Sequence, residues 1–182
     1  VQEVAKGIWL LAGGSHNSVL VEFAEHLALI EVPLNETRTL AVIAKAKEAV
    51  PNKPLTQAVV THHHFDHSGG LRAAVAEGLT IIAHQSSEAF FKELVERKHT
   101  LFQDALAKSP KPLKMQTFDD HYELKDASME VDLYHLDNPH ADSALMAYFS
   151  RERIVAQADL YSPPNAIVPW AATLLENIER RK

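Results

Sequence analysis

The chain contains no cysteine. That excludes disulfides and any thiolate ligand, so a cation site in this protein has to be built from nitrogen and oxygen. The absence assigns no compartment: a cysteine-free chain suits the cytoplasm and the periplasm or a secreted setting alike. The first residue is Val1 rather than a methionine, which is compatible with a processed leader. No stretch is long and apolar enough to cross a membrane. A tract of Lys and Arg is also missing, and the formal net charge is −6, which argues against nucleic acid as a partner. There is no repeat and no low-complexity segment. What remains is 182 residues, 46% apolar and 23% charged, an ordinary globular composition with room for one domain over 1–182.

Apolar runs at residues 8–11, 18–23 and 27–32 read as a meander of strands, with a turn at Gly13-Gly14-Ser15. Asn35 reads as the cap of a helix bearing Leu40, Val42, Ile43, Ala46, Ala49 and Val50, which Pro51-Asn52-Lys53-Pro54 stops. A strand over 55–61, a helix over 71–77 and a strand over 80–83 follow. The spacing of Phe90, Phe91, Leu94, Val95, Leu101, Phe102 and Leu106 predicts one long helix over 88–106 with those side chains as its core face. After Pro110-Lys111-Pro112 the pattern turns to strands near 118, 122–124, 129–135, 145–149 and 154–158, then to a helix over 170–181. Strands, then alternation, then strands, then a helix suit an α/β (α+β) fold of two packed sheets with helices outside.

The segment Thr61-His62-His63-His64-Phe65-Asp66-His67-Ser68-Gly69-Gly70 follows directly on apolar Ala58, Val59 and Val60. Four histidines and an aspartate within six positions at the end of a buried strand carry a heavy desolvation cost unless something binds them, and a divalent cation is the obvious candidate. Side chains alternate along an extended chain, so His62 and His64 point together while His63 points away, as support for its neighbours. Asp66 and His67 come after the chain begins to turn and can address a second position. The glycines permit the tight turn and a close approach of backbone. Further ligands must come from elsewhere. His140 lies in a turn between two strands, with no core to fill, and Asp159 ends an apolar run at its exit into a loop, well placed to bridge two cations.

In their order and spacing these residues resemble the metallo-β-lactamase superfamily. Residues 61–70 resemble its His-x-His-x-Asp-His signature, His140 its second histidine motif and Asp159 its bridging acid. The resemblance implies an αββα sandwich of two mixed sheets flanked by helices. It implies His62, His64 and His140 on a first metal, and Asp66, His67 and Asp159 on or toward a second. The cofactor implied is zinc, one ion or two, with iron and manganese used by some branches. The family pattern ends in a further strand and a final histidine, whereas no histidine follows His140 here. The expectation is therefore a C-terminally incomplete sandwich, a second position short of a ligand, impaired activity and an unpaired edge that invites a homodimer.

The activity implied is metal-assisted hydrolysis of a small-molecule ester, thioester, lactone or lactam-like substrate. Zinc pulls the pKa of a water down to about 7, and the hydroxide attacks a carbonyl or phosphoryl centre, so phosphoester hydrolysis stays open as well. Asp66 orients that nucleophile, and Asp159 shares charge between metals. Two other readings stay open: a mononuclear iron oxidoreductase on the same scaffold, and a catalytically impaired metal-binding fragment. Around the ligands, His16 is either a substrate contact overhanging the site or a plain turn residue, and His84 either lines the pocket or packs beside it. Asp142 and Ser143 brace the His140 loop or cap a turn. His26, His99, His121 and His135 read as surface or packing residues, and Trp9 and Trp170 as core or rim.

Overall fold

Short strands that bury alternate side chains on opposite faces sort the described apolar residues into three separate clusters, and those clusters define the layers. The computed structural model describes residues 1–162 and 167–181. In chain order the strands and helices are β1 (Gln2–Ala5), β2 (Ile8–Leu11), β3 (Ser18–Glu22), β4 (Leu27–Ile30), α1 (Glu36–Ala49), β5 (Leu55–Val59), α2 (Phe65–Ser68), α3 (Leu71–Glu77), β6 (Thr80–His84) and α4 (Glu88–Glu96). They continue as α5 (Ala105–Lys108), β7 (Lys114–Phe118), β8 (His121–Lys125), β9 (Glu130–His135), β10 (Leu145–Phe149), β11 (Ile154–Gln157) and α6 (Ala171–Arg180).

β1 to β7 lie in sequence order in one sheet, antiparallel up to β4 and parallel from β4 to β7. The second sheet runs β11-β10-β9-β8 and is antiparallel at each of these pairings, so only the first sheet is mixed where both had been expected to be. β4 is buried at every position because both its faces are covered: Ala28 and Ile30 face the second sheet, while Leu27 and Leu29 face the helices. Between the sheets, Phe23, Val59 and Ile82 meet Val131, Leu133 and Phe149. On the outer face of the first sheet, Leu20 and Ile81 pack under α1 and α3 through Val42, Ile43, Leu71 and Val75. On the outer face of the second, Met146 and Leu136 pack under Leu174 of α6. The layers are thus helix, sheet, sheet, helix, and each fully buried Leu or Phe contributes on the order of 1.5–3 kcal/mol.

Asn35 caps α1, its side chain accepting from the Arg38 N–H, and Gly78 ends α3 in a left-handed conformation at φ 88°. The expected long helix over 88–106 is instead two. α4 stops at Glu96, and α5 starts afresh under the Asp104 cap, whose carboxylate accepts from the Ala107 N–H and pairs with the buried Arg72. Phe91 is core, but Leu101 and Phe102 are 90% and 88% exposed on the connecting loop. The edge strand β1 carries no apolar signal, since three of its four residues are exposed.

Candidate metal centre

The loops that leave β4, β5 and β6 open along one edge of the first sheet, where open α/β sheets present ligand sites. β5 hands the chain to His62 through Val60 and Thr61, and α2 then turns it within one short helix. The β9–β10 connection arrives from the other sheet. Leu145 N donates to Thr61 O at 2.9 Å, which joins the start of β10 to the exit of β5. Asn138 shapes the loop by accepting from the His140 N–H at 3.0 Å.

These contacts bring together nitrogens from distant stretches. His62 Nε2 is 3.2 Å from His64 Nδ1 and 3.3 Å from His140 Nε2. His140 Nε2 is 3.0 Å from Asp159 Oδ2. A neutral imidazole carries one N–H, so three ring nitrogens and a carboxylate facing one gap cannot all be satisfied by each other, whereas a cation satisfies all four. The four donor atoms lie within 4.8 Å of one another. Thr61 Oγ1 hydrogen-bonds His62 Nδ1 at 3.1 Å and fixes the buried ring with Nε2 inward. Burial first, and the neighbouring His62 and His140 next, hold the His64 pKa below its usual value, so this ring is a neutral donor at pH 7.

A second cluster adjoins the first. Asp66, His67 and His16 bring a carboxylate oxygen and two imidazole nitrogens within 4.8 Å of one another. Asp159 Oδ2 reaches both groups, 3.1 Å from His67 Nε2 and 3.0 Å from His140 Nε2, so it stands where a bridging acid would. The close imidazole of His62, then that of His67, holds its carboxyl well below the usual range, and it is ionised at neutral pH. Its backbone is left-handed at φ 65°, and Trp170 Nε1 donates to its carbonyl at 2.7 Å. Burial works to raise the Asp66 pKa, but the charge on His67 and the hydrogen bond from His16 leave it lowered.

Glu31 is the functional residue that sequence reasoning missed. It is buried, its backbone is left-handed at φ 79°, and its carboxylate accepts from the Thr61 N–H at 2.9 Å and from His67 Nδ1. A non-glycine residue in that region costs about 1 kcal/mol, so the surroundings hold it there. Burial lowers the His67 pKa, but the close carboxylates of Asp159 and Glu31 outweigh it and raise the value to about 10. The available signal was a lone acid inside the otherwise apolar Leu27-Ala28-Leu29-Ile30-Glu31-Val32.

The other expected residues divide clearly. His63 points away from the gap and hydrogen-bonds Ser143 Oγ at 3.1 Å, tying the two ligand loops together. His84 stands outside both clusters, its ring stacked on His135 with centroids 3.8 Å apart. His16, expected at the rim, has its Nε2 3.1 Å from Asp66 Oδ2. Gly69 and Gly70 have negative φ, so their requirement is close approach alone: a Cβ would fall 2.1 Å from Leu34 O at the first and 1.9 Å from Thr39 Oγ1 at the second. Imidazole and carboxylate in these numbers fit a divalent cation at the first cluster, with Asp159 leading to a second.

The chain matches the family model described as the metallo-beta-lactamase superfamily over residues 11–168. Among solved structures it is similar to the DIM-1 metallo-beta-lactamase, with a TM-score of 0.73 and 15% identity over 98% of this chain and 82% of that one. It is also similar to TMB-1, with a TM-score of 0.71 and 15% identity over 98% and 83% of the two chains. A metallo-beta-lactamase from Pontibacter korlensis gives 0.68 and 15% over 99% and 84%. Curated protein sequences give no match. At such identities the structural likeness speaks for the fold, and the family match speaks for descent: the chain belongs to the metallo-beta-lactamase superfamily.

Proposed function

We propose that this chain is a zinc-dependent hydrolase acting on a small-molecule ester, thioester, lactone or lactam-like substrate. Membership of the superfamily supports the coarser reading, a metal-dependent hydrolase. The observation that carries the proposal is the convergence of His62, His64 and His140 with Asp159 on one gap. Zinc bound there supplies Lewis acidity and lowers the pKa of a water toward about 7. The remaining work belongs to the protein's own groups. Thr61 and Glu31 fix ring orientation, so the donors need no reorganisation when substrate arrives. Asp66, partly exposed at the mouth of the site, is an ionised acceptor able to orient a water and take its proton. Asp159 keeps a negative charge between the clusters.

The surroundings offer apolar surface to the unreacting part of a substrate: Phe65 is exposed, the Phe90 ring meets His63, and Trp170 lies against His140 with centroids 5.2 Å apart. The donor set also accommodates iron or manganese, so the metal must be measured. The test is elemental analysis of the isolated protein together with a hydrolysis screen over the four carbonyl classes, before and after chelation. Zinc at stoichiometric level and a hydrolytic activity lost on chelation and restored by zinc are expected. Iron with oxygen consumption and no hydrolysis would overturn the proposal in favour of the oxidoreductase.

A further inference from the structure

We infer that His16, on the loop between β2 and β3, is a protein ligand of a second cation held with Asp66 and His67. The inference rests on the metal-centre reading above and assigns a donor from outside the histidine-rich segment. It starts from an unsatisfied atom. His67 is 8% exposed, its Nδ1–H is committed to Glu31, and its Nε2 is buried without a hydrogen-bond partner. Asp159 Oδ2 comes within 3.1 Å of that nitrogen but lacks the alignment of a hydrogen bond. A buried nitrogen left without a partner is destabilising, and a cation in front of it removes that cost. Among the described residues, Asp66 Oδ2, 3.6 Å from His67 Nε2, and His16 Nε2, 3.1 Å from Asp66 Oδ2, also face that point. The His16 and His67 rings meet edge to face, with centroids 5.3 Å apart.

The loop is built to hold His16 there. Arg38 on α1 donates from Nη2 to the His16 carbonyl at 2.8 Å. Gly13 leaves the guanidinium room in this position, since a Cβ there would fall 1.5 Å from Arg38 Nη2. Asn17 closes the loop by accepting from the Gly13 N–H at 3.3 Å. At the ring itself, Ser15 Oγ lies 2.8 Å from Nδ1. A hydroxyl both donates and accepts, so Ser15 keeps this bond in either tautomer. His16 can thus give Nε2–H to Asp66 in the empty protein and turn an Nε2 lone pair to a cation with Nδ1–H on Ser15. Nitrogen, oxygen and nitrogen from the loop and α2 then make a three-ligand position, with Asp159 beside it as the shared acid.

The full chain titrated with Co(II) tests this, because the absence of native cysteine leaves a blank spectral background. In His16→Cys, a thiolate-to-cobalt charge-transfer band should grow with the second equivalent of metal, after the visible bands of the first equivalent have saturated as in the unsubstituted protein. The control His26→Cys, away from both clusters, should show no such band. In His16→Gln, the second equivalent should bind at least about tenfold more weakly, with the first unchanged. A normal first equivalent with no charge-transfer band in His16→Cys, or with full second-equivalent affinity in His16→Gln, overturns the assignment of His16 and leaves the hydrolase reading standing. Failure of the unsubstituted protein to bind cobalt at all overturns both.

Discussion

Nitrogens of the first cluster come from stretches 78 residues apart, whereas two of the three donors of the second are neighbours on one short helix. The first depends on the two sheets meeting in one register, through the Leu145–Thr61 backbone hydrogen bond and the His63–Ser143 contact. The second depends on a buried carboxylate, Glu31, at the end of β4. The clusters differ in charge as well: His64 is held neutral, while His67 carries a proton up to a pKa of about 10. Inter-sheet docking therefore builds a site ready to take a cation, and local geometry with a buried acid builds one that must first give up a proton.

The sharpest way to break this contrast is His140→Ala, which removes the only donor the second sheet's β9–β10 loop sends to the first cluster. First-cluster metal should be lost, with affinity falling by more than about 100-fold, beyond what a supporting residue costs. Isothermal titration with zinc and elemental analysis read this out, and unchanged stoichiometry contradicts the ligand assignment. Next comes Glu31→Gln. The amide would present an N–H to His67 Nδ1, push the ring proton onto Nε2 and close the lone pair meant for a cation. Second-cluster affinity should fall roughly 10–100-fold while the first is nearly untouched. Equal losses at both would show that the clusters are not separately supported.

Acidity separates them further. Because the His67 pKa is raised, metal binding at any pH below about 10 must displace its proton. Second-cluster affinity should therefore rise with pH by up to roughly tenfold per unit, levelling near pH 10, with about one proton released. The lowered His64 pKa means that ring has no proton to release at pH 7, so it adds no pH dependence of its own to first-cluster binding from pH 7 upward. Titrations in buffers of different ionisation enthalpy measure the protons, and identical release at both steps would sink this distinction. The smallest effect expected is that of Ser143→Ala, which removes one tie between the ligand loops. It should lower stability by about 1 kcal/mol, seen as a small drop in Tm, and weaken first-cluster affinity only slightly.

Legibility followed the same division. Residues 61–70 announce themselves because the donors are consecutive, and strand alternation alone sorts His62 and His64 from His63. His140 and Asp159 are legible from their place at strand exits and their order, and the structure brings both to the gap. Glu31 is silent in the sequence because one acid in an apolar run has no pattern, although burial makes it the partner that orients His67. The split of the predicted helix at residue 97 was hidden because Leu101 and Phe102 continue the apolar spacing of α4. Only the Asp104 cap and its pairing with Arg72 reveal that a new helix begins at Ala105.

By itself the sequence determined the chemistry on offer: nitrogen and oxygen donors without sulfur, clustered at the end of a buried strand, in a chain of ordinary core content. Composition and local periodicity act over a few residues, and those properties are local. The tertiary structure alone decided which donors share a gap. His140 crosses from the second sheet, His16 is clamped inward by Arg38, and His84 is turned aside to stack on His135. Such proximities are set by how two sheets and their loops pack, and packing depends on contacts between residues far apart in the chain.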